Sequence, residues 1–206
     1  MSVTGRTSLP FDAWPKTDQA LWQAARLKGA IFEPDGAAAG WAEATAIQVI
    51  KGYGKWLWAL QYLGALKPDV TPAARVTEDH LRRYLEVLEG QGLASTSIAS
   101  RVTDLMEAVR GMEPDADLPL LRSLVSKLQQ RAKPSRHKAI RIRPPGEIWN
   151  ACAAEMRSIA DTADLKSINT ASRYRDALVL GFLVWSPIRR RNLAALSLGT
   201  NLRYEA

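Results

Sequence analysis

Up to about residue 132 the apolar residues of this chain recur at steps of three and four, and no stretch reads as a strand. That period places them on single faces of helices, so the chain is constrained to an all-α fold whose faces must bury one another. The clearest helix is expected over Thr45 to Leu66, with Ile50, Tyr53, Leu57 and Leu60 on one face. Gly52 and Gly54 lower helix propensity there, or else let a neighbouring helix approach closely. A shorter helix precedes it near Asp18 to Leu27, with Leu21, Ala24 and Ala25 inward. Pro68 and Pro72 break the chain. Thr77 then supplies an N-cap, with Glu78 and Asp79 well placed in the first turn. Leu81, Tyr84, Leu85 and Leu88 line that helix, which ends at Gly90 and Gly92. Ser95 is expected to cap a helix carrying Ile98, Val102, Leu105 and Val109, and Asp117 one carrying Leu121, Leu124, Val125 and Leu128. The sum is a bundle of four or five helices over residues 18–132, after an N-terminal extension at 1–17. Of the seven tryptophans, Trp56 and Trp58 read as core, or as cover for a partner surface, rather than as stacking platforms, and Trp14 and Trp22 as packing onto the bundle.

The charge is unevenly placed. The chain has 28 Lys and Arg against 21 Asp and Glu, a net of +7. Lys127, Arg131, Lys133, Arg136, Lys138, Arg141 and Arg143 stand in one stretch with no acid among them, so it carries the whole excess. Prolines at 134, 144 and 145, with Ile140 and Ile142 alternating, make residues 133–145 an extended linker rather than a helix. An acid-free basic strip is the footprint of a phosphate-binding surface. A linker kept polar for solubility accounts for the charge alone equally well.

Beyond the linker, residues 146–206 begin with a helix marked by Ile148, Cys152, Met156 and Ile159. A second carries Tyr174, Leu178, Gly181, Phe182 and Trp185, is interrupted at Ser186-Pro187, and restarts with Leu193 and Leu196 inward. Cys152 is the sole cysteine, which excludes an intramolecular disulfide and a cysteine-rich metal site. It reads as a buried small hydrophobe. His80 and His137 are far apart, against a zinc site. No apolar run is long enough for a bilayer, and residues 1–11 lack the apolar core of a signal peptide. The expectation is a cytoplasmic protein with no cofactor.

Two runs carry a family resemblance. VTEDHLRRYLEVLEGQGLASTSIASRVTDLMEAVRGMEP joins two helices through a glycine turn, a Ser/Thr-rich helix start and a closing Met-x-Pro. It resembles the core-binding domain of tyrosine recombinases of the phage integrase type. YRDALVLGFLVWSPIRRRNLAALSLGTNL is similar to the first conserved box of their catalytic domain. The order of these motifs and the linker between them extend the resemblance over about residues 45–202. It implies a SAM-like core-binding bundle, a basic linker, and the first helices of a truncated integrase-type catalytic domain. It also implies a C-shaped clamp on double-stranded DNA in a nucleoid-associated protein that acts in DNA integration and recombination for a mobile element. A full-length recombinase, or another copy of the chain on DNA, becomes a further partner.

On that alignment Arg189 stands at the first catalytic arginine, whose guanidinium fork suits the scissile phosphate. Arg190 and Arg191 cannot share its direction. Asn192 departs mildly from the commoner Glu. The linker cations would follow phosphates, which gives affinity without sequence information. Lys51 and Lys55, and Ser97 and Arg101, are candidates for base reading from a helix in the major groove. The family's lysine-bearing sheet, His-x-x-Arg box and tyrosine nucleophile have no counterpart here. No histidine follows His137, and Tyr204 lies outside the nucleophile's context. The chain alone is therefore expected not to cleave DNA, and residues after about 146 to pack poorly by themselves. A decayed integrase remnant, or a helical module that binds protein instead of DNA, is the alternative.

Overall fold

A computed structural model describes residues 7–134, 142–161, 167–197, 199–201 and 203. All regular elements among them are helical: a 3₁₀ turn at Phe11–Ala13, then α1 (Lys16–Arg26), α2 (Glu43–Tyr62), α3 (Glu78–Gly90), α4 (Ser95–Met112), α5 (Pro119–Arg131), α6 (Pro145–Asp161), α7 (Ile168–Trp185) and α8 (Arg190–Ala194). The chain divides into two compact units, residues 1–136 and 137–206.

In the first unit α2 and α4 form the centre, with α1, α3 and α5 packed around them. Tyr53, Leu57 and Leu60 of α2 are fully buried, and Ile50 lies at their edge. Ile98, Val102, Leu105 and Val109 of α4 are all buried, as the four-three-four spacing requires. Leu81, Tyr84 and Leu88 of α3 and Leu121 and Val125 of α5 close the core, while Leu85, Leu124 and Leu128 flank it. Apart from Trp58 and Tyr62, the paired aromatic rings of this unit meet edge to face, a geometry their quadrupoles favour. Trp14 lies 4.8 Å from Tyr53, and Trp56 lies 5.1 Å from Tyr84. Trp14, Trp22 and Trp56 are therefore core residues, and Trp58 stacks on Tyr62 at 5.4 Å.

Several local expectations need correction. Helix α2 stops at Tyr62 rather than Leu66, because Gly64 at φ 66° turns the chain and the Ala65 and Leu66 amides both donate to the Leu60 carbonyl. Thr77 caps α3, its Oγ1 accepting from the His80 amide at 3.2 Å. Ser95 does not cap α4. That place falls to Ala94, and the Ser95 hydroxyl is engaged by Lys133. Asp117 pairs with Arg122 instead of capping α5, whose start is set by Pro119 at its first position. In α1 Ala24 is exposed, and the inward face is Asp18, Trp22 and Ala25.

Asp18 belongs to a buried polar group that no periodicity announces. Its Oδ2 accepts from Tyr53 Oη at 2.7 Å and from Arg75 Nη1 at 2.5 Å. Arg75 is 1% exposed and also donates to the Lys67 and Pro68 carbonyls. His80 Nδ1 donates to the Arg75 carbonyl at 2.8 Å. One ion pair thus ties α1, α2, α3 and the segment between α2 and α3 together. The Tyr53 hydroxyl is pushed well above its usual pKa, first by burial and then by the Asp18 charge, so it stays protonated and donates.

The second unit is built on the pair α6–α7. Cys152 and Ile159 of α6 and Ala177 and Gly181 of α7 are its buried residues. Tyr174, Leu178 and Trp185, which mark this helix in the sequence, are exposed: small residues make the close contact, and one partner helix covers only a narrow strip of α7. Leu193 and Leu196 are half-buried. Among the described residues no helix is long and apolar enough to cross a membrane.

Candidate nucleic-acid interface

The four base-reading candidates are brought onto two adjoining helices. Gln48, Lys51 and Lys55 form a row along α2, since residues three and four apart share a helix face. Ser97, Arg101 and Asp104 form the corresponding row on α4. The rows run antiparallel. Gln48 Nε2 donates to Asp104 Oδ1 at 2.9 Å, while further along α2 Lys55 lies within electrostatic reach of Arg101. Gly52 makes this possible: a Cβ there would stand 2.3 Å from the Asp104 Cβ. The close-approach reading of Gly52 is therefore the one realised. At Gly54 the approaching element is the N-terminal segment, whose Leu9 amide donates to the Gly54 carbonyl at 2.9 Å.

Positive charge exceeds negative at this junction. Asp104 is buried and already shared between Gln48 and Arg101, whose Nη1 lies 3.4 Å from its Oδ2. Arg101 Nε is buried and, among the described residues, donates to no protein acceptor. Among the described residues Lys55 makes no ion pair. Its pKa falls below the ordinary 10.5, first through partial burial and then through the Arg101 charge, with Asp104 opposing weakly. A cation held at a lowered pKa beside an arginine is a place where an added anion relieves repulsion.

The basic linker starts at the same helix. Ser95 Oγ accepts from the Lys133 amide at 3.0 Å and donates to the Lys133 carbonyl at 3.3 Å, which pins the exit of α5 to the first turn of α4. Ser97 and Arg101 lie one-half and one-and-a-half turns further along α4, by the helix repeat of about 3.6 residues. Ser95 was legible as a helix start, but its role as a tether to residue 133 was not. Lys51 and Lys133 are exposed.

Other candidates lie elsewhere. Lys127 faces a groove between α3 and α5, and Arg131 is exposed one turn beyond it. Arg143 is exposed just before α6, and Arg136, Lys138 and Arg141 lie outside the described residues. Arg189 is the N-cap of α8, exposed and without an ion pair among the described residues. Arg190 and Arg191 are exposed too. Among the described residues no three His, Cys, Asp or Glu side chains gather as a metal site. Compared with family models, curated proteins and solved structures, the chain matches none.

Proposed function

We propose that the chain binds duplex DNA as the clamping portion of a protein of the tyrosine recombinase type, a SAM-like bundle and basic linker holding the phosphate backbone. The observation that carries this reading is the junction of Lys55 and Arg101 on α2 and α4, with the linker's first cation, Lys133, hydrogen-bonded to the start of the same α4. Seven basic residues without an acid then follow one another from α5 through the linker. Phosphates supply the anions that both features lack, and the contacts would be independent of base sequence. On this reading Arg189 serves as a phosphate-binding arginine of the second unit.

The test is fluorescence anisotropy with a labelled random duplex over a series of salt concentrations. Wild type is expected to bind with steep salt dependence. Replacing Arg136, Lys138 and Arg141 together with Ala should weaken binding on every sequence alike and flatten the log–log slope by about 2.7, at about 0.9 per lost phosphate contact. Absence of binding at low salt would overturn the proposal and leave the protein-binding module.

Lys55 gives a second handle, through pH. Its lowered pKa means that Lys55 gives up its proton before the ordinary 10.5, and phosphate charge beside it would favour the protonated form, so binding takes up a proton as pH approaches 10.5. Affinity is expected to fall over that alkaline range in wild type and to stay flatter in Lys55→Arg. For folding the sign is the reverse. The stability this group contributes is fully present above 10.5 and is lost as pH falls through its lowered value. Parallel pH profiles for the two proteins would remove Lys55 from the interface.

A further inference from the structure

The segment between α1 and α2 carries the two most exposed large apolar side chains of the first unit, Ile31 at 94% and Phe32 at 98%. They sit at the tip of a built loop. Gly36 N–H donates to the Leu27 carbonyl at 2.9 Å, Gly29 N–H to Asp35 Oδ1 at 2.8 Å, and Glu33 N–H to the Ala30 carbonyl at 2.9 Å. Any side chain at position 29 would meet the Glu33 carbonyl oxygen at 2.3 Å, so glycine there lets the loop close on itself. Neighbouring apolar side chains on a pre-ordered tip are left almost wholly to solvent, yet lose little entropy on docking.

A receptor of matching character lies on the same unit. Leu81 and Leu85 of α3 and Leu120 and Leu124 of α5 line a groove of about 360 Å³, with Arg82 and Lys127 at its rim. Arg82 is held by Glu78 at 2.8 Å, whereas Lys127 has no ion pair among the described residues. Glu33, next to Phe32, is likewise exposed and without an ion pair among the described residues.

We propose that Ile31 and Phe32 of one copy dock between α3 and α5 of a second copy, with Glu33 meeting Lys127, so that copies associate head to tail. Loop and groove are different surfaces, so the contact is heterologous and propagates into larger assemblies or closes into a ring. The apolar anchor supplies the contact, and the single charge pair sets its register. This inference shares Lys127 with the DNA reading but does not rest on it, and it is tested without DNA.

The experiment is sedimentation velocity of the full chain over a concentration series. Wild type is expected to form dimers and larger species. Phe32→Asp removes the anchor at a site too exposed to matter for folding. Leu120→Asp blocks the groove at the second residue of α5, where the helix dipole tolerates an acid. Each alone should weaken association by at least about tenfold, the scale of one lost anchor contact. Mixed together they should form a dimer and stop there, because one intact groove meets one intact loop. Glu33→Lys should weaken association, and adding Lys127→Glu to the same chain should restore it. A monomer at every concentration overturns the proposal. So does association that survives both blocking variants, or a mixture that stays monomeric, since a symmetric or unrelated contact predicts those results.

Discussion

Asp18→Ala is expected to lower the unfolding free energy of the first unit by about 3–5 kcal/mol, the usual cost of leaving one member of a buried ion pair behind. The Arg75 guanidinium is 1% exposed and would keep its charge with only the Lys67 and Pro68 carbonyls and the Tyr53 hydroxyl as partners. Tyr53, in turn, would lose the acceptor for its hydroxyl. The pair is closed to solvent, so no water can compensate, although the segment carrying Arg75 stays tied to α4 through the Thr71 hydroxyl and the Ala73 amide, both of which donate to Glu113. Urea denaturation followed by tryptophan fluorescence reads the effect, because Trp14 and Trp22 surround this part of the core. Replacing both partners, Asp18→Leu with Arg75→Met, should recover most of the loss, since the desolvation cost then disappears with the charges. A loss below about 1 kcal/mol for Asp18→Ala, the range of an exposed pair, would show that the ion pair is solvated in solution.

This ion pair marks the limit of what the sequence discloses. Leu57, Leu60, Val102 and Leu105 declare themselves because a helix repeats its buried face every three or four residues, and five helices follow from that repetition. Arg75 lies in no periodic segment and its partner is 57 residues away, so only the folded chain joins them. Asp18 was hidden in a different way: an acid in the first turn of a helix is common for dipole reasons alone. Ser95 and Asp117 show why polar signals mislead where apolar ones do not. A hydroxyl or carboxylate has several possible partners, and Lys133 and Arg122 took these two. Helix α7 forms where its residues mark it, but its buried face was not legible for want of a second neighbour. Its apolar residues go round more of the helix than α6 covers, so spacing could not say that Ala177 and Gly181 would make the contact. At the candidate interface the sequence nominated Lys55 and Arg101 separately, from helix faces alone. Their adjacency needed the antiparallel pairing of α2 and α4, to which Gly52 was the one local clue.

Gly52→Val tests that pairing directly and is expected to cost about 2–3 kcal/mol in stability, at the upper end of overpacking penalties. A Cβ at position 52 would stand 2.3 Å from the Asp104 Cβ and 2.9 Å from its carboxylate carbon. Both Cβ atoms are fixed to helical backbones, so no rotamer change relieves the clash and α2 must move away from α4. Removing a helical glycine gains at most about 0.5 kcal/mol here, since Val is itself a poorer helix former than Ala, and this offsets only part of the cost. Gly90→Ala is the control, because a Cβ there meets nothing within 4 Å. It should leave stability unchanged or raise it by up to about 1 kcal/mol through the unfolded chain. The separation at Gly52 has a second consequence. It pulls Gln48 from Asp104 and Lys55 from Arg101, so the variant should also restore the Lys55 pKa toward 10.5. That shift can be followed by NMR titration of the lysine side chain. A destabilised variant whose Lys55 pKa stays low would mean that burial by α2's own neighbours, and not the approach of α4, sets the charge environment of the site.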